Sequence, residues 1–207
     1  MTRHILTRRT FLTGTGLLLT TSPAWAAVAK VGAAAPAFTS TSTSGKAVSL
    51  GDYRGQIVVL EWTNHDCPYV RKHYDTGNMQ ALQAEATGQG VIWLSIISSA
   101  PGTQGHVSAG QADELTATRK ARPSAVLLDP TGAVGKMYGA TNTPHMYVVD
   151  KAGTLVYAGA IDDKPTSRRG DVQGAKNYVR EALQAVAAGQ PVKTPVTRAY
   201  GCTVKYA

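Results

Sequence analysis

The thiol of Cys67, which Pro68 follows directly, is the first candidate for chemistry in this sequence. The run 57–60 before it is apolar and mostly β-branched, which is typical of a buried strand. Proline favours the first position of a helix, so the pattern places Cys67 at a helix start. The free N–H groups and the positive dipole end of such a helix favour the thiolate, the nucleophilic form of cysteine. The alternative is a cysteine that serves only as a small apolar core residue.

Charged neighbours in the sequence are expected to tune this thiol in opposite directions. The carboxylate of Asp66 would oppose thiolate formation, whereas Arg71, Lys72 and a protonated His65 would favour it. The sequence alone leaves the balance open.

Three histidines, His65, His73 and His145, could surround the thiol. A copper or zinc site made of Cys67, His65 and His145 is an alternative, because thiolate and imidazole ligands suit both metals. The chain has only two cysteines and no Cys-x-x-Cys spacing. We therefore predict neither a metal nor another cofactor.

Composition limits the classes of protein that the chain can represent. Its 207 residues suggest one domain, and a hydrophobic content of 43% is enough for a core. No stretch is long and apolar enough to predict a membrane span. The formal charge is +8, and without Arg3, Arg8 and Arg9, which lie in a segment we expect to be removed, it is +5. No basic cluster interleaved with aromatic residues is present, so nucleic-acid binding is not predicted.

Residues 1–26 have the pattern of a twin-arginine signal peptide. The segment 7–12, Thr-Arg-Arg-Thr-Phe-Leu, is followed by a weakly apolar run, and small residues at Ala24 and Ala26 suit cleavage before Ala27. The sequence thus predicts export of the folded protein to the periplasm or another extracytoplasmic compartment, where disulfides persist.

Alternation of strand and helix patterns along the rest of the chain predicts an α/β fold with a mixed sheet and helices on both faces. We expect a linker at 27–36, a folded domain at 37–190 and a tail at 191–207 that contains Cys202. Within the domain the predicted elements are a hairpin at 37–43 and 46–50, strands at 57–62, 91–97, 125–128, 145–149 and 154–158, helices at 68–87 (broken near Gly77), 112–121 and 175–188, and a helical turn at 134–138.

Four short segments carry a resemblance to a known family. They are segment 64–70 (Asn-His-Asp-Cys-Pro-Tyr-Val), Thr143-Pro144-His145, Ile161-Asp162-Asp163 and segment 201–206 (Gly-Cys-Thr-Val-Lys-Tyr). With the order of elements, they resemble the thioredoxin fold, and more narrowly a peroxiredoxin-like, AhpC/TSA-related branch of the redoxins. The resemblance covers essentially all of the chain after the signal peptide. It implies a three-layer thioredoxin-like fold and redox chemistry at a cysteine.

The resemblance also implies a substrate site. In such proteins a cis-proline, here Pro144, faces the active cysteine, and the residue before it, here Thr143, offers backbone groups to an extended substrate. We also assign Pro68 and Trp62 to substrate binding, with Trp62 either in the wall of the site or in the core. Asp162 and Asp163 are expected to cap a loop rather than to form a catalytic pair.

Two departures from the family patterns restrict the chemistry. Val70 stands where thioredoxins carry their second cysteine. Asn64 stands where peroxiredoxins carry a threonine three residues before the reactive cysteine. Cys67 matches the first thioredoxin cysteine, whereas the peroxidatic cysteine matches the second, so peroxidase activity does not carry over residue by residue.

Cys202 is the one internal candidate for regenerating Cys67. An even pair of cysteines in an exported protein favours a disulfide, although a remote Cys202 stays an alternative. A reversible pair would make a two-cysteine oxidoreductase, and a permanent one would be a structural staple of the tail.

The leading functional hypothesis is an exported thiol oxidoreductase with an antioxidant role that acts by thiol–disulfide exchange through Cys67. The alternatives are a thiol peroxidase that reduces hydroperoxides and a non-enzymatic binding or metal-carrier module. The expected partners are protein or small-molecule disulfides or hydroperoxides, together with a redox partner that the sequence does not identify.

Overall fold

The computed structural model describes Met1 and residues 28–207. The predicted signal peptide and its cleavage point therefore lie outside the described residues, apart from Met1. In the described part of the chain, no helix combines the length and apolar character needed to cross a membrane.

The strands of the structure are β1 Thr39–Ser42, β2 Ala47–Ser49, β3 Val58–Trp62, β4 Ile92–Ile97, β5 Ala125–Leu128, β6 Asn142–Thr143, β7 His145–Val149, β8 Leu155–Gly159 and β9 Cys202–Thr203. The helices are α1 Pro68–Asp75, α2 Asn78–Gly88, α3 Ala109–Thr118, α4 Ala133–Tyr138 and α5 Tyr178–Ala187, with short 3-10 turns at Leu50–Tyr53 and Arg169–Val172.

The main sheet has the strand order β2-β1-β5-β4-β3-β7-β8. Its central strands β3, β4 and β5 are parallel, whereas β1, β2, β7 and β8 join through antiparallel pairs. All five residues of β3 are buried, as expected for a strand with neighbours on both edges and helices on both faces. The predicted mixed sheet and its N-terminal hairpin are confirmed.

Two hydrophobic cores lie on opposite faces of this sheet. Val59 contributes to the core that α1, α2 and α5 cover, and Cys67 lies in that core. Leu60 and Trp62 contribute to the other core, which α4 covers. This division follows from the period of two along β3, since successive side chains point to opposite faces. The three-layer prediction is confirmed.

The helix that follows Cys67 breaks at the predicted glycine. α1 ends at Asp75 and α2 begins at Asn78. Gly77 between them has a φ of +75°, in the left-handed region that favours glycine. α1 and α2, on either side of this turn, pack on the same core.

One small sheet has no counterpart among the predicted elements. β6 pairs with β9 in an antiparallel arrangement, separate from the main sheet. Each strand has only two residues, too few to show a periodic pattern. This sheet brings the tail to the functional site.

Candidate active site

Cys67 is the residue that caps the N-terminus of α1. Its backbone is extended, with φ −71° and ψ 121°, and Pro68 occupies the first turn of the helix. The Cys67 carbonyl accepts the N–H of Arg71 at 2.9 Å, and its own N–H donates to the Asn64 carbonyl at 3.1 Å. The thiol therefore lies at the helix start that the sequence predicts, but it is fully buried, with 0% exposure.

Two backbone groups contact the Cys67 thiol. Sγ donates a hydrogen bond to the Thr143 carbonyl at 3.1 Å. The N–H of Cys202 donates to Sγ at 3.4 Å. The Thr143–Pro144 peptide bond is cis, and both of its residues are buried. The thiol thus lies between the cis-proline loop and the tail.

The pairing of β6 with β9 brings the second cysteine to the first. Thr143 is the register partner of Cys202, and the Asn142 amide donates to the Gly201 carbonyl at 2.9 Å. Cys67 and Cys202 are both free thiols, with Cys202 only partly buried. Burial and the neighbouring Cys67 raise the pKa of Cys202. The two cysteines share one site.

A buried polar network holds the tail two residues before Cys202. Lys72 of α1 has a fully buried side chain, and its Nζ lies 3.4 Å from the Asp162 carboxylate. The same Nζ donates to the Tyr200 hydroxyl at 3.2 Å and to the Lys164 carbonyl at 2.8 Å. The Tyr200 hydroxyl also donates to Asp162. Burial lowers the pKa of Lys72, and Asp162 opposes that shift.

The network gives Asp162 a second role besides the predicted capping of a loop. Its carboxylate does accept the N–H of Lys164 at 3.0 Å, but it also bridges α1 and the tail. Asp163 fits the expectation better, since it accepts the N–H of Lys176 at 3.0 Å. No local pattern announces the role of Asp162, because Lys72 and Tyr200 are distant in the chain.

A second buried acid, Glu61, lies on the face of β3 that carries the Cys67 core. Its carboxylate accepts hydrogen bonds from Tyr74 at 2.8 Å, Trp93 at 2.8 Å, Ser95 at 2.9 Å and Gln83 at 3.2 Å. The sequence signal for this buried network was an acidic residue inside an otherwise apolar predicted strand. These donors satisfy the carboxylate and join β3, β4, α1 and α2 under the site.

The predicted tuning residues lie at the rim rather than around the sulfur. Asp66 and Arg71 are exposed. The His65 ring lies 3.3 Å from the Asp66 carboxylate. Partial burial lowers the pKa of His65, although Asp66 acts in the opposite direction. Pro68, which follows Cys67 directly, is also exposed.

Trp62 does not line the site, and its assignment to substrate binding is wrong. It is fully buried in the core on the opposite face of the sheet. There its indole donates to Ser98 at 3.0 Å, and its ring packs against Tyr138 and Tyr147. The alternation along β3 explains the error, because Trp62 faces away from the core that contains Cys67.

The histidines are not gathered around the thiol to bind a metal. His73 contacts Tyr200 and Asn78, and His145 stacks on Tyr147. Within the described residues, no cluster of three or more histidine, cysteine, aspartate or glutamate side chains could hold a metal ion. The Cys67–His65–His145 alternative therefore has no site here.

Acidification from pH 7 to pH 5 is expected to lower the free energy of unfolding. Burial lowers the pKa of His73 to about 3 and that of His145 to about 4, from the ordinary 6.5. Below pH 6.5 the unfolded chain binds protons that the folded chain does not. Each histidine then contributes a loss of about 1.4 kcal/mol per pH unit. Denaturant unfolding at pH 7, 6 and 5 measures this slope.

A His145→Gln variant provides the control for that slope. In this variant the unfolding free energy should no longer fall by the amount that His145 contributes, but it should still fall by the amount that His73 contributes. A wild-type protein that is equally stable at pH 7 and pH 5 would contradict the prediction.

Together, the sheet order, the cysteine at a helix start and the facing cis-proline define a thioredoxin-like redoxin. Residues 31–158 match the AhpC/TSA family, and the chain belongs to that family.

The chain is also similar to solved structures over most of its length. A structure described as an uncharacterized conserved protein from Geobacillus kaustophilus is 26% identical, with a TM-score of 0.75, covering 86% of this chain and 93% of the other. A hypothetical protein from Sinorhizobium meliloti 1021 is 23% identical, with a TM-score of 0.74, covering 86% and 95%. A thiol:disulfide interchange protein from Bacteroides sp. is 20% identical, with a TM-score of 0.51, covering 70% and 89%; it shares the fold. No curated protein sequence matches the chain.

Proposed function

We propose that this protein is a two-cysteine thiol oxidoreductase that cycles between a dithiol and a Cys67–Cys202 disulfide. The observation that carries the proposal is the 3.4 Å contact between the Cys202 backbone N–H and the Cys67 sulfur. Thioredoxins carry their second cysteine close to the first, but here Val70 takes that place. The second cysteine of this chain, Cys202, lies 135 residues after Cys67.

The surroundings of Cys67 suit the charge changes of such a cycle. When the sulfur is a thiolate, the Cys202 N–H can stabilise it through a charge-assisted hydrogen bond. The start of α1 adds the positive end of the helix dipole. In the internal step, the Cys67 thiolate attacks Cys202 Sγ in a mixed disulfide with an outside thiol, the new S–S bond forms, and the outside thiolate leaves.

The overall reaction balances as one disulfide for another. The protein dithiol loses two electrons and two protons, and an external disulfide R–S–S–R gains them to become two R–SH molecules. The reverse reaction oxidises two external thiols.

We further propose that the protein works outside the cytoplasm, in an oxidising compartment. The twin-arginine pattern of residues 1–26 supports this proposal, and so does a cysteine pair arranged to form a disulfide. An antioxidant role would follow if the protein repairs disulfides there.

The peroxidase alternative has less support from this site. Cys67 is fully buried, and Asn64, at the position of the peroxiredoxin threonine, is 2% exposed. The Asn64 side chain already accepts the N–H of Asp66 at 2.9 Å and so shapes the turn before the helix.

The direct test is the equilibrium between the protein lacking residues 1–26 and glutathione. As the ratio of glutathione disulfide to glutathione rises, the protein is expected to pass from dithiol to disulfide. It should return to the dithiol when the ratio is lowered. Mass spectrometry after thiol trapping measures the fraction oxidised and locates the disulfide between Cys67 and Cys202.

Protein with both thiols alkylated in advance is the control and should not change. A disulfide that stays intact at every glutathione ratio would indicate a structural staple. A protein in which no Cys67–Cys202 disulfide forms would overturn the proposal.

A further inference from the structure

We infer that the tail segment 200–206 closes the site to protein strands, so that the protein exchanges with low-molecular-weight thiols and disulfides, and that these react at Cys202. This inference rests on the proposed function and names its substrate class.

The tail occupies the edge of β6 beside Cys67, where an extended peptide would otherwise pair. Thr143, whose carbonyl accepts the Cys67 thiol proton, is 3% exposed. The register partner of Thr143 is Cys202 itself. A peptide disulfide that approached Cys67 as a strand beside β6 would have to displace β9.

The tail lies in close contact with β6 at Gly201. A Cβ atom added to Gly201 would lie 2.0 Å from the Thr143 carbonyl oxygen, and Gly201 has a φ of +124°. Even one methyl group is therefore too large at this contact.

The tail is anchored on both sides of Cys202. On one side, the Tyr200 hydroxyl joins the buried network of Lys72 and Asp162. On the other side, the Val204 N–H donates to the Thr141 carbonyl at 3.0 Å.

The last residues add further anchors. The Tyr206 hydroxyl donates to the Ala140 carbonyl at 2.5 Å, and its ring lies so close to Gly132 and Gly135 that neither could carry a side chain without a shift. Opening the strand breaks several of these contacts together, so the open form is a minor state.

The two sulfurs consequently differ in access. Cys67 is fully buried, whereas Cys202 is partly exposed. A small thiolate that attacks Cys202 Sγ in the oxidised protein breaks the Cys67–Cys202 bond and forms a Cys202 mixed disulfide. Cys67 leaves as a thiolate beside the Cys202 N–H. A second thiol then attacks the mixed disulfide and releases the external disulfide, and both protein thiols end reduced.

Burial raises the pKa of Cys202, and a thiol with a higher pKa leaves more slowly. Attack at Cys67 would have to expel Cys202, and it would also have to reach a buried sulfur.

The test compares two disulfide substrates, oxidised glutathione and insulin, as oxidants of the reduced protein. If the strand must open first, reaction with insulin is expected to be at least about tenfold slower per disulfide, since an open state is commonly populated at 0.1–10%. Gly201→Ala, which pushes the tail away from Thr143, should bring the rate with insulin closer to the rate with oxidised glutathione and so lower the ratio of the two rates.

Gly189→Ala is the matched control, because Gly189 also has a positive φ, +66°, but nothing lies within 4 Å of an added Cβ. It should leave the ratio unchanged. Intact protein that reacts with insulin as fast as with glutathione disulfide would overturn the inference and leave the proposed function standing. Failure to react with either substrate would overturn both.

A second experiment, which does not depend on Gly201→Ala, identifies the cysteine that reacts first with glutathione disulfide by mapping which residue carries the adduct. In a Cys67→Ser variant, glutathione disulfide is expected to modify Cys202. In a Cys202→Ser variant, Cys67 should stay unmodified under native conditions and react once denaturant is added. Native modification of Cys67 at a rate equal to that of Cys202 would refute the assignment.

Discussion

Replacing Cys67 with serine is expected to lower the turnover of thiol–disulfide exchange by roughly 100-fold or more, because the nucleophilic sulfur of the internal step is lost. A serine hydroxyl at this position cannot form a disulfide. Cys202 can still react with an outside disulfide, but the resulting mixed disulfide has no internal thiol to resolve it. Turnover with glutathione disulfide and a recycling reductant measures the loss.

The stability of the variant separates chemistry from folding. Since serine nearly preserves the size of the side chain and can also donate to the Thr143 carbonyl, Cys67→Ser should unfold within about 2 kcal/mol of the reduced wild type. A folded Cys67→Ser protein that turns over at the wild-type rate would contradict the role given to Cys67. Loss of turnover in an unfolded variant would not support that role.

Replacing Lys72 with methionine is expected to destabilise the protein by about 3–5 kcal/mol, because it leaves the Asp162 carboxylate buried without its cation. The Lys72 and Asp162 side chains are 0% and 2% exposed. Removal of either charge alone should therefore cost far more than removal of a surface charge. Denaturant unfolding of the reduced protein measures the difference.

Lys176→Met is the matched control for that substitution. Lys176 also pairs with a carboxylate, Glu181 at 3.1 Å, but both side chains are about half exposed. Its loss should cost no more than about 1 kcal/mol, since water screens exposed ion pairs. The double variant Lys72→Met, Asp162→Asn should recover part of the stability, because no uncompensated charge is then buried. Equal costs for Lys72→Met and Lys176→Met would show that the network does not stabilise the fold.

Local chemistry explains why parts of the site could be predicted. The position of Cys67 depends on a β-branched run and on a proline, both within ten residues of it. The strand-and-helix order and the break at Gly77 depend on short-range patterns of the same kind. The resemblance to redoxins then implied the cis-proline at Pro144.

The sequence failed where the answer depends on distant parts of the chain. The assignment of Trp62 to substrate binding is wrong, because the alternation of β3 directs this residue to the opposite core. Asp162 does cap a loop, but nothing near it in sequence shows that Lys72 lies 3.4 Å away.

By itself, the sequence determined the α/β architecture with a mixed sheet and the helix start that carries Cys67, since both follow from hydrophobic periodicity and from the restricted backbone of proline. The thioredoxin-like fold was implied by the resemblance to redoxins. Only the tertiary structure decided where Cys202 lies. Its strand has two residues, too few for any pattern, and it is held by β6, by the buried Lys72 network and by the close approach that Gly201 permits. A long-range contact of this kind forms only when the rest of the fold is in place. It brings Cys202 to the site of Cys67.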